Sequence, residues 1–420
     1  MYKVTRLENG LTVATAEMPH MASVSLGIWV GVGGRYEAES LSGASHFIEH
    51  LLFKGTQRRS APEISQAVEG IGGYLNAFTS EEHTCFYAKV RHDHFGRVLD
   101  VLADMFLHST FDPEEMDKER EVIKEELAMY MDQPQQYVQE LLNSTMWPDQ
   151  PLGRSITGTR KTLDGLGREK LLDYQKQNYV APATLLAVGG RITHREAVAA
   201  IGKFARKFSR GARPCCTPAI STQTKPALCL MTKKTEQTQI ALGIRACSRH
   251  DERRYALRLL NAVLGENMSS RLFQSVREEH GLAYSIYSAN SFFDDAGDIV
   301  IAAGLDVDNL EKTLKLILRE MKRLAAQLVP AAELRRARDY LIGQLDLSLE
   351  NSESQMMWAG EQWLGYGKIA HPDEFKKRLS AVTAGQLRAA ARDFFRPGRM
   401  NLSIISPLKS AAGLEKLLAG

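Results

Sequence analysis

Hydrophobic and polar positions alternate one by one along Val24-Ser25-Leu26-Gly27-Ile28-Trp29-Val30, the period of a half-buried strand. The same period returns in Gln239-Ile240-Ala241-Leu242-Gly243-Ile244. Leu26 and Leu242 lie 216 residues apart. A second pair of landmarks, Phe111-Asp112-Pro113-Glu114-Glu115 and Leu328-Val329-Pro330-Ala331-Ala332, keeps that spacing. Each opens a long helical pattern, and Pro113 and Pro330 are 217 residues apart. Between the landmarks both halves run helix, strand pair, helix, so the pattern predicts a duplication. Strands arrive in neighbouring pairs rather than in strict alternation with helices. That predicts an α+β fold of two similar halves, each a mainly antiparallel sheet with helices packed on one side. From about Lys207 to Lys234 the periodicity fades into Gly211, three prolines (Pro214, Pro218, Pro226) and many Ser/Thr residues, the composition of a linker. The expected division is therefore 1–207, a linker 208–234, and 235–420.

Composition narrows the function. The 420 residues carry 53 Lys+Arg against 50 Asp+Glu, and 44% are hydrophobic. This is ordinary globular usage, and it lacks the concentrated basic surplus of a nucleic-acid binder. No run of 18 apolar residues occurs, so no spanning helix is expected. Residues Met1 to Gly10 read as a short strand entering an Asn-Gly turn rather than as a secretory signal. Five cysteines (Cys85, Cys215, Cys216, Cys229, Cys247), with no CxxC pair, predict a reduced intracellular protein. A bacterial cytoplasm is the expected setting, although a mature organellar protein would read the same way.

The chemistry concentrates in His46-Phe47-Ile48-Glu49-His50, inside a run from Gly43 to Phe53 that reads as a mostly apolar helix. At about 100° per residue, Glu49 falls about 60° to one side of His46 and His50 about 40° to the other. Two imidazoles and a carboxylate therefore share one space, the inverted zincin order His-x-x-Glu-His. Zinc takes such nitrogen ligands, and a catalytic zinc uses three protein ligands plus a water. A spare carboxylate can then take the water's proton. The third ligand is sought on the acidic helix after Asp112, where Asp112 suits the N-cap and Pro113 the first turn. On its wheel the apolar set Val122, Ile123, Leu127 and Tyr130 forms one arc, and both Glu119 and Glu126 fall inside it. The wheel does not choose between them.

The run from His46 to Thr56, with Glu126 placed 76 residues after His50, resembles the M16 metallopeptidases (pitrilysin, insulin-degrading enzyme, mitochondrial processing peptidase). The segment from Gly72 to Thr84 is also similar, and the length fits the M16B group. The resemblance implies LuxS/metallohydrolase-like halves and a zinc endopeptidase. His46, His50 and Glu126 would be the ligands, Glu49 the general base and Glu119 a second carboxylate orienting the ligands. It implies that Asn76 and Ala77 lie on an edge strand pairing with extended peptide substrate. Ser270 to Ser285 is similar to the family segment that supplies an Arg and a Tyr, here Arg277 and Tyr284, as donors to the oxyanion. At the duplication offsets His46, His50 and Glu126 map onto Ala262, Glu266 and Gly343, so one zinc per chain is expected. A homodimer enclosing a chamber would set Arg277 and Tyr284 against the other protomer's zinc. His92 and His94, Cys215-Cys216 and the Met356-Met357-Trp358 cluster are read as solvated, linker and core residues respectively.

Overall fold

The computed structural model describes residues 2–419 and divides them into two compact units. The first gathers the chain up to Ala128 with Arg154–Thr217 and Asp346–His371. The second gathers Met129–Gly153, Pro218–Leu345 and the chain from Pro372. In the first unit β1 (Tyr2–Arg6), β2 (Thr12–Glu17), β3 (Ser23–Val30), β4 (Tyr74–Thr79), β5 (Thr84–Arg91) and β6 (Thr184–Gly190) form one sheet, ordered β1-β2-β6-β3-β5-β4. Only the β2/β6 pairing is parallel. In the second unit β7 (Ala227–Thr232), β8 (Thr238–Ala246), β9 (Ala283–Phe292), β10 (Gly297–Leu305) and β11 (Met400–Ser406) are ordered β7-β11-β8-β10-β9, with only β7/β11 parallel. Without β1 the two orders superimpose strand for strand, β3 on β8 and β4 on β9. The duplicated α+β fold is therefore present.

Alternation in Val24–Val30 predicts one wet face, and the structure has none, because β3 is buried on both sides. Val24, Leu26, Ile28 and Val30 pack with Phe47, Ile48, Leu51 and Leu52 of the helix Ala44–Leu52. Burying four such side chains stabilises by several kcal/mol, at about 25 cal/mol per Å² of apolar surface removed from water. On the other face Trp29 joins Ala14, Cys85, Leu185 and Ala187 beneath Met356 and Ala359 of the helix Ser352–Tyr366. The polar alternates are accommodated there, since the Ser25 hydroxyl meets that of Ser352 at 3.0 Å. A cover on each face thus goes beyond the expectation of helices on one side.

The covers also explain why the units depart from a division at 207 and 235. A sheet whose second face is apolar must bury it, and here each cover is a helix from the opposite half of the sequence. Helix Ser352–Tyr366 lies on the first sheet. Helix Pro134–Met146 lies on the second, where Val138, Leu142 and Met146 meet Ala241 and Ile405. The close approach repeats at the duplication spacing. A Cβ at Gly27 would stand 2.6 Å from the Met356 sulfur, and one at Gly243 would stand 2.8 Å from that of Met146. Met356 is core, as its sequence context suggests, and accepts the Trp29 indole N–H at 3.3 Å. All five cysteines are free thiols. Among the described residues no helix is long and apolar enough to cross a membrane.

Two glycines test this packing. A Cβ at Gly360 would stand 2.2 Å from the rigid Trp29 ring, whereas one at Gly343, in the helix Ala331–Ser348, would meet nothing within 4 Å. Gly360→Ala should destabilise by about 1–3 kcal/mol through overpacking. Gly343→Ala should stabilise by about 0.4–1 kcal/mol through the lost freedom of the unfolded chain. Denaturant unfolding of both variants reads the difference, and equal midpoints would contradict the account of the covering helix.

Candidate metal centre

The motif helix, Ala44–Leu52, turns Phe47, Ile48, Leu51 and Leu52 into the core. His46, Glu49 and His50 occupy the remaining arc, as the helical period requires. Its entry is tightly made. Gly43 has φ +95°, and a Cβ there would press to 2.9 Å from the Thr157 carbonyl, so only glycine suits the position. The first turn is capped from outside the helix. Glu37, buried, accepts the Gly43 N–H on one oxygen and the Ser45 N–H on the other, each at 2.7 Å. Burial pushes the Glu37 carboxyl up to about 7 although those two bonds and Arg154 pull it down.

The acidic helix, Pro113–Met131, begins as its sequence suggests, with the Asp112 carboxylate accepting the N–H groups of Glu114 and Glu115. It buries Met116, Glu119 and Ile123. Val122, assigned by the wheel to the apolar arc, is 49% exposed, so the buried stripe is narrower than its apolar residues suggest. One Glu126 oxygen lies 3.7 Å from His46 Nε2 and 3.8 Å from His50 Nε2. These gaps are too long for hydrogen bonds. They approach the roughly 3.4 Å between two ligands of one tetrahedral ion at 2.0–2.1 Å. His46, His50 and Glu126 each offer an atom within 4.8 Å of the others, and among the described residues no other group of this kind occurs.

The surroundings fix how these groups present themselves. Glu119 accepts His50 Nδ1–H at 3.0 Å and the Lys54 ammonium at 2.5 Å. Burial raises the Glu119 carboxyl, and those two bonds outweigh it and hold it below its ordinary value. With its proton on Nδ1, His50 turns a lone pair on Nε2 toward Glu126. Burial, reinforced by the nearby His50, pushes His46 down to about 3, which keeps it neutral as a ligand must be. Its Nδ1 is buried without a hydrogen-bond partner. Two imidazoles and a carboxylate, held apart and not bonded to one another, fit a divalent cation. Glu49 stands beside them, accepting the Thr79 hydroxyl of β4 at 2.5 Å, and burial raises its carboxyl against that bond.

The structure thus brings His46, Glu49, His50, Glu119 and Glu126 together. Asn76 and Ala77 lie on β4, which ends the first sheet, and the Ala77 N–H is held by the Asn76 side chain at 2.9 Å. Arg277 and Tyr284 belong to the second unit. Arg277 sits on a π-helical segment, Phe273–Glu279, and Tyr284 near the start of the edge strand β9. The guanidinium stacks over Phe273 at 4.8 Å and stands 5.9 Å from the Tyr284 ring, which is 76% exposed. Arg271 pairs instead with Glu333 through two bonds of 2.8 and 2.7 Å. At the equivalent positions of the second unit, Ala262 ends in the core, Glu266 accepts the Asn261 amide and Gly343 has no side chain.

Comparison with known proteins agrees with this geometry. Residues 12–160 match the model of Insulinase (Peptidase family M16), and residues 165–341 match that of the Peptidase M16 inactive domain. The chain is 37% identical to the uncharacterized zinc protease YmxG of Bacillus subtilis over 407 residues, covering 97% of this chain and 98% of that one. This chain belongs to peptidase family M16. An uncharacterized zinc protease of Streptomyces coelicolor is 38% identical over 411 residues, covering 96% of this chain and 89% of that one. A protease from Helicobacter pylori shares the M16 fold with a TM-score of 0.91 at 20% identity, over 97% of this chain and all of that one.

Sequence reading did not find Glu37, Thr79, Lys54 or Asp104 as parts of this centre. Asp104, buried on the helix Phe95–His108, ties down the loop that follows the motif helix. It accepts Thr56, Arg58, Arg59 and His108 at 2.8, 2.9, 2.6 and 3.0 Å. Burial raises this carboxyl, and the four donors outweigh it and hold it down to about 2 against an ordinary 3.8. Its stabilisation is full above the ordinary value and is lost as pH falls through about 2. Asp104→Asn should be less stable than wild type at neutral pH, with the two urea midpoints converging as the pH falls from about 4 to about 2. Parallel curves would contradict this anchor.

Proposed function

We propose that this M16 chain is a zinc-dependent endopeptidase of the M16B type, acting on peptides or unfolded segments enclosed by a homodimer. The observation that carries the reading is the meeting of His46, His50 and Glu126, two imidazole nitrogens and a carboxylate with Glu49 beside them. This is the two-His, one-Glu donor set of catalytic zinc sites. The relatives' names as zinc proteases support the metal. One zinc per chain follows from Ala262 and Gly343 standing where the first half has ligands. When bound, zinc supplies a Lewis acid that polarises the scissile carbonyl and lowers the pKa of water.

The remaining work falls to side chains. Glu49 takes a proton from the attacking water on a carboxylate oxygen and returns it to the leaving amine. Its raised carboxyl, from burial, favours holding that proton between the two transfers. Glu119 keeps the His50 ring turned so that Nε2 faces Glu126. Substrate lies extended along β4, where exchange of the Asn76 side chain for a peptide carbonyl frees the Ala77 N–H as a donor. In the two-chain reading, Arg277 and Tyr284 of one protomer donate to the oxyanion formed at the other. The exposure of the Tyr284 ring and its closeness to the guanidinium support that pairing.

Hydrolysis of a quenched fluorescent peptide library tests the reading. Glu49→Gln should lose about 10²–10⁴-fold in rate while retaining its zinc, whereas His50→Ala should lose both. Full activity in Glu49→Gln would refute Glu49 as base. Mixing inactive Glu49→Gln with inactive Arg277→Ala chains should restore partial activity, and no recovery despite proven subunit exchange would contradict shared sites.

A further inference from the structure

We propose that Glu37 is a positioning residue for the metal-binding helix, fixing its first turn so that His46 and His50 meet Glu126. The inference rests on the zinc reading above. A helix leaves its first N–H groups without internal partners, and a side chain at the N-cap ordinarily takes one. Gly43 has no side chain to offer. Glu37 supplies both oxygens from six and eight residues upstream, to Gly43 and to Ser45, the residue before His46. A carboxylate there also meets the positive end of the helix dipole.

Glu37 is itself held. Its backbone carbonyl accepts the Arg154 guanidinium at 2.8 Å, and the Ser45 hydroxyl meets that of Tyr174 at 3.0 Å. The bonding is specific in direction. Two N–H groups aimed at two oxygens match a carboxylate, whereas an amide in its place would set an NH₂ against one of them. Rotation of a helix of only nine residues moves His46 and His50 together relative to the acidic helix. The gap of 3.7–3.8 Å across the centre leaves little room for that.

The test measures metal binding, with activity left aside, at about pH 8, above the value of about 7 to which burial lifts Glu37. Zinc affinity is read by chelator competition, and site geometry by the visible spectrum of the cobalt-loaded chain. Glu37→Gln should bind zinc about 10–100-fold more weakly and shift the cobalt bands, with Glu37→Asp recovering part of both. Thr383→Ala, which removes the cap of the helix Ala384–Phe394 in the second unit, lowers stability without touching the centre and should leave both readouts unchanged. Zinc affinity within about twofold of wild type, with an unshifted spectrum, would overturn the proposal. If Glu37→Gln does not fold, Glu37→Asp decides by the same criterion against Thr383→Ala. A wild-type chain that bound neither ion would contradict the metal reading itself, leaving Glu37 nothing to position.

Discussion

Everything at this centre depends on holding two imidazoles and a carboxylate within 4.8 Å of one another without letting them bond together. Left alone, a neutral imidazole and a carboxylate would rotate into a direct hydrogen bond. The separation persists because His50, and the helix that carries both histidines, are fixed from behind. His50 is held through Nδ1 by Glu119, which is held in turn by Lys54, and the motif helix is pinned at one end by Glu37 and beyond the other by Asp104. Burial then pushes His46 down, reinforced by His50, and lifts the Glu49 carboxyl against the hydrogen bond from Thr79.

The duplicated second unit shows what the fold keeps when the ligands are gone. Strand order, the single parallel pairing and the glycine under a crossing helix all recur, the glycine because the covering helix comes too close for a Cβ. The donors do not recur. Ala262 completes a core where His46 faces a carboxylate, and Glu266 turns to Asn261. The exchange of covering helices ties the sequence halves into both units, so neither compact unit is a contiguous stretch of chain.

How much of this could be read in the sequence follows from the range of each interaction. The pairing of His46 with His50 was legible because a four-residue spacing fixes it within one helix. Glu119 and Glu126 were indistinguishable on the wheel, since about 20° separates them. Depth and the Lys54 contact distinguish them in space. Val122 departs from the wheel because an apolar side chain need not be buried on a helix whose buried stripe is narrow. Glu37 was invisible because its cap reaches six to eight residues beyond the helix start, outside the local capping patterns. The covering helices were hidden for the same reason, although Gly27 and Gly243 inside strands were a sign of close backbone approach.

The account is tested most directly by locating the metal. Crystals of the zinc-loaded chain, measured on either side of the zinc absorption edge, should show one anomalous peak per chain, bounded by His46 Nε2, His50 Nε2 and Glu126. A strong peak elsewhere, or none at this position in a fully loaded chain, would contradict the account.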